Sequence, residues 1–294
     1  MTHSTNAAPF GAPPSLCANN PDVRILRRVA SLEDFPLAEY AVGNVRRVVI
    51  TDVETTGTDP LNDEIIDVAV VVIEVDSRGE IVRIVSAGEA LRDPGMPIPP
   101  PITQITGLID ADVAGRAIDL DRLERRLANA DVRIAHNCSF DLAFLQHLMP
   151  GLVGASWACS VRDFDWLSAG MDGAKLGHLL MQIGYFNTGH RAMADVVSLL
   201  HLLAHRLDGS TTVIGTILDN AQRPSIRIEA TAAPFEKRSV LKSRGYRWDP
   251  VAKVWWCEIG EDDVEGETLW IGREVTPWGP PPRCRPITWH QRHR

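Results

Sequence analysis

The stretch Arg47-Val-Val-Ile-Thr-Asp-Val-Glu-Thr-Thr-Gly57 decides the fold. Its β-branched run, Arg47 to Val53, reads as a buried strand, and that strand ends on two carboxylates, Asp52 and Glu54. Residues two apart on a strand point to the same face. Two carboxylates on one face at the rim of a sheet can hold a hard divalent cation through oxygen ligands. Taken alone, the Asp-x-Glu spacing occurs by chance and describes a polar strand end equally well. Thr55, Thr56 and Gly57 behind it add two hydroxyls and a residue without a Cβ, which lets a backbone approach a nucleotide closely.

Arg24–Ala30 reads as a short strand or helix, and Ile65–Val75 and Ile81–Leu91 read as strands. The turn residues Asp76-Ser-Arg-Gly79 between them make a hairpin. Residues 94–101 are dense in proline and read as a loop. Leucines at 120, 123 and 127 among charges predict an amphipathic helix over 119–130. Val132–Ala135 is a short buried strand. Ser139–Leu148 is a helix with Ser139 or Asn137 available as its N-cap, and 192–207 is a strongly apolar helix. This order, an antiparallel meander followed by alternating helix and strand, is not a doubly wound dinucleotide fold. It predicts an α/β domain with a mixed sheet flanked by helices.

Three further residues extend the acidic pair. Asp141 falls in the first turn of the 139–148 helix, where the helix dipole alone would favour a carboxylate. His136, Asn137 and Phe140 put hydrogen-bonding groups and a ring at the C-terminal end of a strand, where α/β sites gather. Asp195 lies one turn into the apolar helix and would be costly there without a cation or partner. His190 is five residues earlier, about 140° around a continuous helix, so it shares a site with Asp195 only if the helix begins after it. Gly189 suggests that start. A loop histidine can swing toward an activated water, which suits a general base. In isolation it reads equally as a surface residue.

Together these pieces resemble the DEDDh exonuclease family, which includes the proofreading epsilon subunit of bacterial DNA polymerase III. The motifs are Asp52-Val-Glu54-Thr-Thr-Gly, His136-Asn-Cys-Ser-Phe-Asp141 and His190-Arg-Ala-Met-Ala-Asp195, with Pro101-Ile-Thr-Gln-Ile-Thr-Gly107 matching the loop before the first long helix. The related tyrosine branch would carry Tyr at 191, where this chain has Arg. The resemblance covers about residues 45–207. It implies an RNase H-like exonuclease fold with a mixed five-stranded sheet, and 3'-5' hydrolysis with two divalent ions, Mg2+ or Mn2+. Asp52, Glu54, Asp141 and Asp195 would bind metal, Asp52 bridging both ions, and His190 would deprotonate the attacking water. Thr55, Thr106 and Phe140 match positions that contact the terminal nucleotide, with Thr56, Gly57 and Asn137 beside them. The chain departs at Thr106, where the epsilon subunit has histidine. The implied substrate is a nucleic-acid 3' end, DNA favoured over RNA, with a polymerase or replication factor as a further partner. An RNA-trimming oligoribonuclease would use the same five residues. A non-catalytic nucleic-acid-binding protein is disfavoured because all five are present.

Composition sets the remaining bounds. The chain has 294 residues and a net charge of -8. Residues 1–220 hold 17 basic against 28 acidic residues, while 221–294 hold 13 against 10. The acidic excess belongs to the half with the metal ligands, where bound cations would offset it. No apolar run reaches the roughly 18 residues of a membrane span, and the N-terminus lacks the pattern of a secretory signal. Five cysteines without a CxxC pair favour a reducing cytoplasm. Residues 1–21 read as disordered, 22–208 as the exonuclease domain, 209–223 as a linker or connecting helix, and 224–294 as a small α+β module. Six of the eight tryptophans lie in that module, either as its core or for base stacking. Lys242, Arg244, Arg247 and Lys253 are candidate phosphate contacts. Cys257, Cys284, His290 and His293 could be read as a zinc set, although their spacing is irregular and no CxxC pair is present.

Overall fold

The computed structural model describes residues 23–207 and 211–293, so the N-terminal disorder expected for 1–21 lies outside the described residues. The chain divides into two compact units, residues 1–220 with 293–294, and residues 221–292. The first contains β1 (Arg27–Arg28), β2 (Arg46–Thr55), β3 (Ile65–Val75), β4 (Ile81–Leu91), α1 (Pro100–Thr106), α2 (Asp110–Val113) and α3 (Leu120–Ala128). It continues with β5 (Val132–Ala135), α4 (Ser139–Leu148), β6 (Trp157–Cys159), α5 (Leu176–Gln182), β7 (Tyr185–Phe186), α6 (Ala192–Ala204) and most of α7 (Val213–Gln222). A five-stranded sheet runs in the order β4-β3-β2-β5-β6. β2, β3 and β4 are antiparallel, while β5 and β6 run parallel to β2. This is the mixed sheet flanked by helices expected of the RNase H-like exonuclease fold.

The sheet is covered on both faces. Val49 and Val53 of β2 pack with Leu123, Leu127, Leu142 and Leu145 of α3 and α4. α6 packs over β2 and β3. Because strand side chains alternate, Asp52 and Glu54 face away from Val49 and Val53, on the side of α6. β3 is buried at ten of its eleven positions, which explains its uninterrupted Val/Ile sequence.

β5 pairs with β2 only at Val48, Val49 and Ile50. Beyond Ile50, β2 runs on alone on that side for five more residues. The backbone groups exposed there must find other partners, and this is where the acidic residues collect.

Several elements escaped the sequence reading. The proline-dense segment ends in α1, which begins at Pro100 because proline is tolerated in a first helical turn. β6 is three residues long, too short for any periodicity. α4 has Cys138 as its N-cap with no side-chain cap, in place of Ser139 or Asn137. Asn137 instead takes a left-handed conformation, φ 65°, which asparagine tolerates better than most residues. α6 stops at Ala204, three residues before the expected end.

The second unit is a four-stranded antiparallel sheet in the order β11-β8-β10-β9, formed by β8 (Ser225–Ala230), β9 (Arg247–Asp249), β10 (Val254–Ile259) and β11 (Arg283–Ile287). α8 (Arg238–Ser243) and α9 (Val264–Trp270) complete it. Ile228, Leu241, Tyr246, Trp255, Cys257 and Ile271 form its core. β11 was not anticipated, since Pro286 within it argues against a strand. Proline fits there because β11 is an edge strand.

Leu145 is fully buried in the main core. Leu145→Ala is expected to lower stability by about 2–5 kcal/mol, read as a lower urea midpoint with an unchanged slope.

Candidate metal centre

Ligand atoms of Asp52, Glu54 and Asp195 lie within 4.8 Å of one another. Two elements bring them together. β2 supplies the first two on one face, and α6, lying over that face, supplies Asp195 from its first turn. Asp141 comes from the other side of the sheet. It is 2% exposed, and its Oδ1 accepts a hydrogen bond of 3.1 Å from the Val53 N–H. That amide belongs to the part of β2 that β5 leaves unpaired, so Asp141 takes over the work of a missing strand.

His190 lies outside α6, whose N-cap is Arg191. Its backbone is left-handed at φ 67°, and its N–H donates to Asp195 Oδ2 at 2.6 Å. The turn that exposes His190 is therefore held by one of the acidic residues it adjoins. Gly189 sits close by, where an added Cβ would meet Asp195 Oδ1 at 3.2 Å.

Two participants were not seen in the sequence. Asp67 of β3 pairs with Glu54 across the ladder and is 1% exposed. Its Oδ2 accepts from Arg191 Nε at 2.9 Å, which ties the His190 loop to the sheet. Its Oδ1 is buried without a hydrogen-bond partner. Asp67 hides inside an apolar strand, but an acidic residue in such a run was itself a signal. Arg191 was read only for its distinction from tyrosine.

The other predicted residues divide by their contacts. Thr55 is buried, its hydroxyl donating to the Gly57 carbonyl at 2.5 Å. The Thr56 hydroxyl donates to Asp63 Oδ1 at 3.2 Å. A Cβ at Gly57 would fall 2.4 Å from Asp63, so Asp63 alone accounts for the glycine. Thr106 donates to the Ile102 carbonyl at 2.9 Å and accepts from the Leu108 N–H at 3.1 Å, ending α1. Phe140 packs 5.0 Å from Phe144. His136 Nε2 lies 2.7 Å from the Ala174 carbonyl and Nδ1 2.8 Å from Ser160 Oγ. A carbonyl only accepts, so Nε2 carries the proton and the ring braces its loop. In the second unit Arg244 is engaged by Glu267 at 2.7 Å and lies over Trp270. Arg247 and Arg227 lie 4.4 and 4.1 Å from the Trp256 ring centroid. Trp255 is core and Trp256 faces outward between guanidiniums. Lys242 and Lys253 are exposed.

The electrostatics call for a cation. Burial, followed by the charges of Asp141, Asp195, Glu54 and Asp67, holds the Asp52 carboxyl well above the usual range. Burial likewise raises Asp141 and Asp195. Glu54 is pushed up to about 7, by burial first and then by Asp195 and Asp67, with Arg191 opposing. A group of hard oxygen donors, mutually repelling and partly desolvated, with one orphaned carboxylate oxygen beside it, fits divalent cations.

Over most of its first unit the chain is similar to known exonucleases. The exonuclease family model RNase T matches residues 49–203, just over half of the chain. A DNA polymerase III subunit epsilon-like protein of Rhodobacter capsulatus is 32% identical over 191 residues, covering 60% of this chain and 26% of that protein. The 3'-5' exonuclease DinG of Bacillus subtilis is 31% identical over 181 residues, covering 59% of this chain and 17% of its own length. The chain thus spans about a quarter or less of these curated relatives. Among solved structures, Exonuclease X in complex with 5' overhanging duplex DNA aligns over 59% of this chain and 98% of its own, at 23% identity and a TM-score of 0.43. Among the described residues no helix is long and apolar enough to cross a membrane.

The raised Glu54 carboxyl has a testable sign. Without metal, the folded protein binds this proton up to about pH 7, whereas the unfolded chain releases it near 4.5. Stability in EDTA is therefore expected to fall as pH rises through that window. Glu54→Gln should flatten the fall, and Mg2+ should restore stability at its upper end, measured by urea unfolding. Identical pH profiles for the wild type and Glu54→Gln in EDTA would contradict this electrostatic picture.

Proposed function

The chain belongs to the exonuclease family described by the RNase T model, and from that premise we propose that it removes nucleotides from DNA 3' ends by metal-dependent hydrolysis. One observation carries the reading. Acidic side chains from β2, α4 and α6 meet at the unpaired end of β2, with His190 on a loop beside them. The names of the relatives, an epsilon-like subunit and a 3'-5' exonuclease, support DNA and this polarity.

Asp52, Glu54 and Asp195 would hold one divalent ion, Mg2+ or Mn2+, and Asp141 with Asp52 a second. Bound ions of this kind lower the pKa of water and offset charge at the attacking and leaving oxygens. His190 receives the proton of the attacking water as general base. Its imidazole is placed by two restraints on the neighbouring backbone, the Asp195 carboxylate on its own N–H and the Arg191–Asp67 pair next to it. The loop is thus held in place while its histidine stays exposed. Phe140, partly buried beside Asp141, offers a ring for the terminal base. Lys242 and Lys253 of the second unit would add phosphate contacts. A replication polymerase as partner rests on the relatives' names alone.

The test uses 5'-labelled single-stranded DNA, duplex DNA with a mismatched 3' end, and RNA, each with Mg2+ or Mn2+. A ladder shortening from the 3' end of DNA is expected. His190→Ala should slow it by about 10²–10⁴-fold, the usual worth of a positioned proton acceptor, and Asp52→Asn should abolish it. Undiminished cleavage by Asp52→Asn would remove the assigned centre, and a ladder on RNA alone would move the substrate to RNA.

A further inference from the structure

A second group of ligand-type side chains lies apart from the carboxylates. Cys138, Cys159 and His293 are all buried, and a donor atom from each lies within 4.8 Å of the other two. All three belong to the first unit. Both cysteines are free thiols. No sequence motif joins the three residues, which are distant in the chain. Among the described residues, Cys257, Cys284, His290 and His293 do not form such a group. His293 is instead with Cys138 and Cys159, while His290 receives the Trp289 indole N–H at 3.0 Å.

The histidine is set up as a ligand. His293 Nε2 lies 3.1 Å from Asp163 Oδ2, and Nδ1 is buried with no hydrogen-bond partner. An imidazole with one nitrogen on a carboxylate and the other uncommitted is the arrangement that orients a metal-bound histidine. The same Asp163 oxygen accepts the Cys159 N–H at 2.7 Å, so one carboxylate fixes both the backbone of one thiol and the ring. A buried ring nitrogen without a partner is costly, and an ion would satisfy it.

We propose that Cys138, Cys159 and His293 bind a zinc ion, with Asp163 as the carboxylate that orients the imidazole. Two thiolates and an imidazole select a soft or borderline cation over the hard ions suited to the carboxylate centre. The geometry is nearly closed. Three points at most 4.8 Å apart lie within about 2.8 Å of a common centre, against bonds of about 2.3 Å to sulfur and about 2.0 Å to nitrogen. Side-chain shifts of under an ångström bring the three donors to these distances. Cys138 caps α4, which carries Asp141 one turn on, and Cys159 ends β6. The ion therefore fastens the helix of one catalytic carboxylate to the edge of the sheet.

The test is elemental analysis of untagged protein, expressed with zinc in the medium and exchanged into Mg2+ buffer without chelator. About one zinc per chain is expected in the wild type and in Asp52→Asn, and less than a tenth of that in Cys138→Ser, Cys159→Ser and His293→Ala. Replacement by Co2+ should give a near-ultraviolet thiolate charge-transfer band in the wild type and Asp52→Asn that both cysteine variants lack. The wild-type measurements need no variant to fold. A zinc-free wild type overturns the proposal, whether its thiols are free or joined with a loss of two mass units. Zinc that disappears in Asp52→Asn but persists in the cysteine variants overturns it equally, as does a stoichiometric metal other than zinc.

Discussion

Mutual repulsion among Asp52, Glu54, Asp141 and Asp195 is the constraint around which the first unit is arranged. Burial and neighbouring negative charge both disfavour their ionised forms. A fold selected for stability alone would place an apolar cluster here, as the rest of β2 and β3 does. The sheet holds the charges together because its core is large and apolar on both faces. Val49 and Val53 anchor β2 on the side opposite the acids. The strand cannot slip by one residue without exchanging the faces of its valines and its acids.

Two of the acids also organise backbone. Asp141 accepts the Val53 amide that β5 leaves unpaired, and Asp195 accepts the His190 amide in a left-handed turn. Asp67 holds Arg191, so the loop with the proposed base is tied to the strand beside Glu54. The carboxylates thus do two jobs. One oxygen of Asp141 and one of Asp195 position the chain, and the cluster as a whole presents oxygen donors to cations. Removing one of them therefore disturbs local geometry as well as charge.

The three-strand meander, β5, α4 and the apolar α6 were legible because long β-branched runs and amphipathic spacing report burial directly. The Asp52–Glu54 pair was legible for the same reason, since strand alternation fixes which side chains share a face. His190 was placed outside the helix by an angular argument, and α6 does begin after it. What was not legible depends on contacts between distant segments. Asp67 reads as a stray acid in a valine run until β2 is laid beside it. Thr56, Thr106 and Arg244 look available for ligands until Asp63, Ile102 and Glu267 are found bonded to them. β6 and β11 are short or contain proline, and only pairing with a neighbour makes them strands.

All of the proposed chemistry depends on divalent cations binding to the acidic group at the end of β2. Anomalous scattering from crystals grown with Mn2+ tests this most directly. One peak is expected within bonding distance of Asp52, Glu54 and Asp195, with a second against Asp52 and Asp141. A well-ordered cluster without manganese, or manganese bound only at other residues, would contradict it.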